Sequence, residues 1–206
     1  FVNHWKPYAP MITPAFFCHS PYTCSPVTLV NVKQAAREAD ILYLTHLLEQ
    51  QDEIGIIEKR YGKKPVRHLY DLGVLDEKTV AVHCNWLTKE DIDILADTGV
   101  GVSHNPESSM KLAAGVTPVP ELLERKINVG LGTDGAASNN DLDMFREMDS
   151  TAFCHAHVPN MGQCICTRPG GHAGDHRCNV GDVDLRRSDR RRHDRGRLLL
   201  PGADGC

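Results

Sequence analysis

His19, His46, His83, His104 and Asp134 each close one of five successive short apolar runs. His46-Leu47-Leu48-Glu49 adds a carboxylate three residues beyond one of these imidazoles. His83 follows His46 by 37 residues, and Asp134 sits within Gly132-Thr133-Asp134-Gly135. Imidazoles with one carboxylate suit zinc or another divalent ion that keeps a coordination position open for water. Such an ion lowers the pKa of water towards neutrality and polarises the group under attack. A nearby carboxylate then moves protons between nucleophile and leaving group. That chemistry is metal-assisted hydrolysis and needs no organic cofactor. Each residue taken singly has a plainer reading, as a satisfied structural histidine or, for Glu49, a carboxylate facing a helix dipole. Five in five successive units point to an enzyme.

The positioning elements alternate. Pro10 to His19 is mostly apolar and reads as a strand. Ser25-Pro26 opens a helix to Asp40, with Ser as N-cap and Pro at the first helical position. Ile41 to His46 reads as a strand buried on both faces. Gln51 to Tyr61 reads as a helix stopped by Gly62, and Thr79 to His83 as the next strand. Thr88-Lys89-Glu90-Asp91 predicts a capping box and a helix that Gly99 ends. Val100 to His104 and Ile127 to Asp134 are strands, Pro118 to Lys126 and Asn139 to Phe153 helices. Buried strands alternating with amphipathic helices define a parallel α/β architecture. In a parallel barrel the strand C-termini converge on one face, where active sites are built. His4 and His68 lie outside any motif, and His68 is expected on the surface.

The 206 residues are 41% hydrophobic and 6% aromatic, with a net charge of −4. That charge gives no reason to expect nucleic acid, and no apolar run approaches the ~18 residues of a membrane span. The expected setting is cytoplasmic, and the scattered Cys18, Cys24, Cys84 and Cys154 are expected as reduced thiols. The average hides a split. Residues 155–206 carry nine Arg, six Asp, no Lys and no Glu, for a net of +3 against −7 in residues 1–154. They show no 3.6 or 2 periodicity. The domain reading is therefore a catalytic unit at 1–154 and a tail at 155–206 that is irregular and disordered, or out of frame. Cys164, Cys166, His172, His176 and Cys178 leave a third reading of the tail, a small zinc-binding interaction module, in an unusual spacing.

His104-Asn105-Pro106-Glu107-Ser108-Ser109-Met110-Lys111-Leu112, Gly115-Val116-Thr117-Pro118-Val119-Pro120 and Gly132 through Met144 closely resemble the amidohydrolase superfamily. Within it they look most like the methylthioadenosine/S-adenosylhomocysteine deaminases and their chlorohydrolase relatives. His19-Ser20-Pro21-Tyr22-Thr23-Cys24-Ser25 is similar to the group's upstream motif, where Ala is usual at position 20. The resemblance runs from about Ile12 to Ala152. It implies a partial (β/α)8 TIM-type barrel, about strands 4 to 8, and hydrolytic deamination of the adenine ring with Zn2+ or another divalent metal such as Fe2+. It implies His46 and Asp134 as metal ligands, with Asp134 also meeting the hydrolytic water. Glu49 would bind a substrate nitrogen and shuttle protons, His83 would orient or polarise nucleophile and substrate, and His19 would contact substrate near the ribose. The resemblance gives His104 and Asn105 no catalytic role and makes Lys111 structural. The expected partner is a small nucleoside. A neighbouring reading is a chlorohydrolase acting on an s-triazine or other heterocycle.

The family's first-strand His-x-His pair, and a substrate-binding Arg and Glu from the same half, have no counterpart upstream. His155-Ala156-His157 is the one His-x-His present, at the opposite end. A complete barrel takes ~250 residues. The expectation is thus a fragment that binds metal weakly, turns over little alone and self-associates through open edges.

Overall fold

The computed structural model describes residues 1–9 and 11–155. Expectations for 156–206, including the tail's zinc module and His157, lie outside the described residues.

Ser25 accepts a hydrogen bond from the Thr28 N–H, and Pro26 needs no partner at the first helical position, so the chain enters α2 (Pro26–Ala39) where the sequence directs it. Before it come a short α1 (Val2–Trp5), a 3-10 turn and β1 (Ala15–Cys18). Then follow β2 (Leu42–Leu47), α3 (Asp52–Tyr61), α4 (Pro65–Asp71) and β3 (Thr79–His83). Thr88 and Asp91 form the expected capping box at the start of α5 (Lys89–Thr98), which ends at Gly99 with φ +74°. β4 (Gly101–His104), α6 (Pro106–Lys111), α7 (Val119–Glu124), β5 (Val129–Leu131) and α8 (Met144–Cys154) complete the order.

The strands form one parallel sheet in chain order, β1-β2-β3-β4-β5. The register Ala15↔Leu42, Tyr43↔Thr79, Val80↔Gly101 and Val102↔Val129 runs without a skipped strand. A sequential parallel sheet with a helical connection between each pair is five consecutive strands of a (β/α)8 barrel. Tyr43, Leu47, Ala81, Val102 and Val129 pack with Leu29, Leu69, Leu95 and Leu122 from the covering helices. Among the described residues no helix is long and apolar enough to cross a membrane.

β1 has four residues where Pro10 to His19 was expected, and three further local expectations need correction. His68 is buried, not on the surface: it belongs to α4, which the sequence reading passed over, and its ring stacks on Tyr61 at 4.1 Å. β5 has three residues rather than eight: the Ile127 N–H still bonds the Leu122 carbonyl of α7, and past Gly132, whose N–H donates to the His104 carbonyl at 3.0 Å, Asp134 takes φ +61°. The last helix starts at Met144 rather than Asn139. Asn139 instead closes a turn, its Oδ1 accepting from the Asp141 and Leu142 N–H groups at 3.0 and 2.9 Å, and Asp143 becomes the N-cap.

Candidate metal and hydrolytic site

The C-terminal ends of β2 and β3 and the loop after β5 bring His46, His83 and Asp134 together. One donor atom from each lies within 4.8 Å of the others. The His46 Nδ1 lies 2.7 Å from the His19 carbonyl, which can only accept, so Nδ1 carries the proton and Nε2 keeps a free lone pair. The His46 and His83 rings stack at 5.2 Å. Asp134 is held at both oxygens: the Ser108 hydroxyl donates to Oδ2 and the Gly135 N–H to Oδ1, each at 2.7 Å. Glu49 Oε1 and Asp134 Oδ2 stand 4.0 and 3.9 Å from His83 Nε2, too far for hydrogen bonds.

His83 is fully buried, yet among the described residues neither ring nitrogen has a hydrogen-bond partner. Burial, reinforced by the neighbouring His46, pushes its pKa down to about 4, against the pull of Asp134, so the ring is neutral at pH 7. Burial likewise lowers the His46 pKa. Burial alone would raise the Asp134 pKa; the Ser108 hydroxyl, the Gly135 N–H and the two imidazoles outweigh it and hold the carboxyl below its usual value. Two neutral imidazoles and an ionised carboxylate, one imidazole with both nitrogens unpaired, are a donor set that fits a divalent cation.

His19 borders the site with both its backbone carbonyl and its ring, the ring 4.9 Å from that of His46. Its carbonyl orients His46, while its exposed side chain turns Nδ1 to the Thr23 and Ser20 hydroxyls at 2.9 and 3.1 Å. Sequence reading also passed over the residues behind Glu49 and His83. Glu53 is buried and accepts from the Leu48 and Gln50 N–H groups, each at 3.0 Å, tying down the turn that carries Glu49. Asn85 Nδ2 donates to the Glu49 carbonyl at 3.1 Å. The one hint in the sequence was an acidic first turn in α3. Lys111 donates to the Ala137 carbonyl at 3.1 Å, in keeping with a structural reading.

Fold and site together define a parallel α/β-barrel protein with a His/Asp donor set gathered at the strand C-termini. Residues 5–163 match the amidohydrolase family, and the chain belongs to that family. It is 47% identical over 154 residues to a 5-methylthioadenosine/S-adenosylhomocysteine deaminase of Syntrophobacter fumaroxidans, covering 75% of this chain and 35% of that protein. A 5'-deoxyadenosine deaminase of Methanopyrus kandleri is 47% identical over 137 residues, 66% of this chain and 32% of that protein. Among solved structures, a zinc-bound adenosine deaminase from Xanthomonas campestris superposes with a TM-score of 0.71 at 37% identity, covering 77% of this chain and 36% of that one. The chain thus spans about a third of the length of the relatives it matches.

Proposed function

We propose that this site serves hydrolytic deamination of the adenine ring of a 5'-modified adenosine, with S-adenosylhomocysteine and 5-methylthioadenosine as the first candidates. Water adds at C6, the C6–N bond breaks, and ammonia leaves. The observation that carries the reading is the convergence of His46, His83 and Asp134 within 4.8 Å, with Glu49 beside them. The names of the relatives, deaminases of such nucleosides, support the substrate class.

In this reading His46 and Asp134 hold a divalent ion, Zn2+ or Fe2+, with His83 alongside. When bound, the ion acidifies water and polarises the carbon under attack. Glu49 takes the proton of the attacking water and returns one to the leaving amino nitrogen. His83, neutral at pH 7, orients the water. His19 lies beside His46, its ring 4.9 Å away, where it contacts the ribose side of the substrate. A cytoplasmic setting and association with further chain belong to the same reading.

The deciding experiment is zinc-supplemented incubation with S-adenosylhomocysteine, followed through the ultraviolet change from adenine to hypoxanthine. Slow turnover is expected, lost in His46→Ala and in Glu49→Gln, and lost again on chelation. Turnover that survives His46→Ala overturns the assignment. Release of chloride from a chloro-s-triazine without deamination would replace it with the chlorohydrolase reading.

A further inference from the structure

His104 ends β4 fully buried, and no step above uses it. Its Nδ1 lies 2.8 Å from the Thr117 hydroxyl. That hydroxyl in turn lies 2.7 Å from the His83 carbonyl and 3.0 Å from Asn85 Oδ1. Both of those oxygens only accept, so the single hydroxyl hydrogen of Thr117 is spent on them, the shorter contact being to His83. His104 must therefore donate from Nδ1 to Thr117.

The His83 carbonyl needs such a partner. The β3–β4 ladder stops at Val82↔Ser103, and His83 and Cys84 follow with φ +75° and +57°. Two successive non-glycine residues in the left-handed region persist only where their surroundings fix them. On the β2 side, Cys84 and Asn85 donate to the Leu47 and Leu48 carbonyls at 2.9 and 3.0 Å. On the β4 side Thr117 takes the place of the missing ladder partner. Thr117 is itself held close. The Trp86 Nε1–H donates to the Ala114 carbonyl at 2.6 Å, and Gly115, at φ +122°, passes so near that a Cβ would meet Trp86 at 2.9 Å.

We propose that Thr117, backed by His104, is a positioning residue that clamps the left-handed turn at the end of β3 and thereby aims the His83 imidazole into the site. The inference rests on the reading of His83 as a site residue. It is tested on the full chain by long-range proton–nitrogen spectra of the imidazoles, which report tautomer and environment without any turnover, so a failed deaminase assay and a failed clamp are told apart. In the native chain His104 is expected as the pure Nδ1–H tautomer. Thr117→Val, which keeps the shape and removes the hydroxyl, should release that tautomer and shift the His83 ring signals; Thr117→Ser should restore both. His104 found as the Nε2–H tautomer, or His83 signals unmoved in Thr117→Val, overturns the clamp. Should Thr117→Val fail to fold, His104→Asn, whose amide can stand in for Nδ1, is compared with His104→Gln, which reaches past it. Native-like His83 signals are expected in the first and displaced ones in the second, and identical spectra overturn the proposal.

Discussion

At the scale of single residues, the site is set by buried groups behind it that bond to backbone. Leu48 takes φ +52° just before Glu49, and Glu53 holds that bend by accepting two of its backbone N–H groups. Burial raises the Glu53 pKa, opposed by these same amides. Glutamine at this position offers one acceptor and turns an NH2 towards an amide that needs one. Glu53→Gln should therefore cost about 1–3 kcal/mol, the usual penalty for a buried group left unpaired. The loss should be local: amide exchange at Leu48 and Gln50 should accelerate more than tenfold, and unchanged exchange there would refute the role. His46, His83 and Asp134 were legible in the sequence because they end apolar runs, and Asp134 also stands in a long motif. The parts played by Glu53, Asn85 and Thr117 were not, although Thr117 stands in the motif from Gly115 to Pro120. Each acts by hydrogen bonding to backbone, and nothing in a residue's type says which carbonyl or amide the fold will bring to it.

At the scale of elements, α2 is fixed to the start of β3 by an ionic cluster around the buried Lys33, at the opposite end from the site. Lys33 of α2 is 1% exposed and pairs with Asp76 just before β3, with the Thr79 hydroxyl at 2.8 Å. Arg37 closes the cluster, donating to Asp76 Oδ2 at 2.8 Å and to the Gly73 carbonyl at 2.9 Å. Removing one partner leaves a buried charge unpaired, so Asp76→Ala should cost about 3–5 kcal/mol in a urea melt. Lys33→Met combined with Asp76→Ala should recover most of that. Burial opposes ionisation of Asp76, but Lys33 and Arg37 prevail and hold its pKa below the usual carboxylate value. Its contribution is thus present above the unfolded pKa of about 3.9 and is lost as pH falls through the lower folded value. An acid limb equally steep in Asp76→Asn would contradict this. Element boundaries were readable where a cap or glycine marks them, as at Ser25, Thr88, Gly62 and Gly99. They failed where a side chain competes with the periodic pattern: Asn139 spends its carbonyl oxygen on a turn, and the helix waits for Asp143. α4 escaped because Pro65 to Asp71 is only seven residues long, its apolar stripe too short to show a period.

At the scale of the whole molecule, a parallel sheet is stable when both faces and both edges are covered. Among the described residues β1 and β5 each have one neighbour only, and the sheet ends with backbone groups on both flanks unpaired by strands. Phe17 on β1 is 50% exposed, and Phe145 and Phe153 on α8 are 77% and 81% exposed. Two surfaces could therefore drive association, the strand edges and the aromatic face of α8, and they predict different things. Association of either kind stabilises by mass action, so the melting temperature should rise with protein concentration. A sharp melt independent of concentration, with a monomer in sedimentation, would refute both. Phe145→Glu with Phe153→Glu separates them: these exposed side chains lie on α8, and neither belongs to an open strand. Association that survives the double substitution belongs to the edges, and further chain bearing the remaining strands should then suppress it by pairing with β1 and β5. Association that disappears belongs to α8, and added strands should leave the melting temperature of the double variant insensitive to concentration.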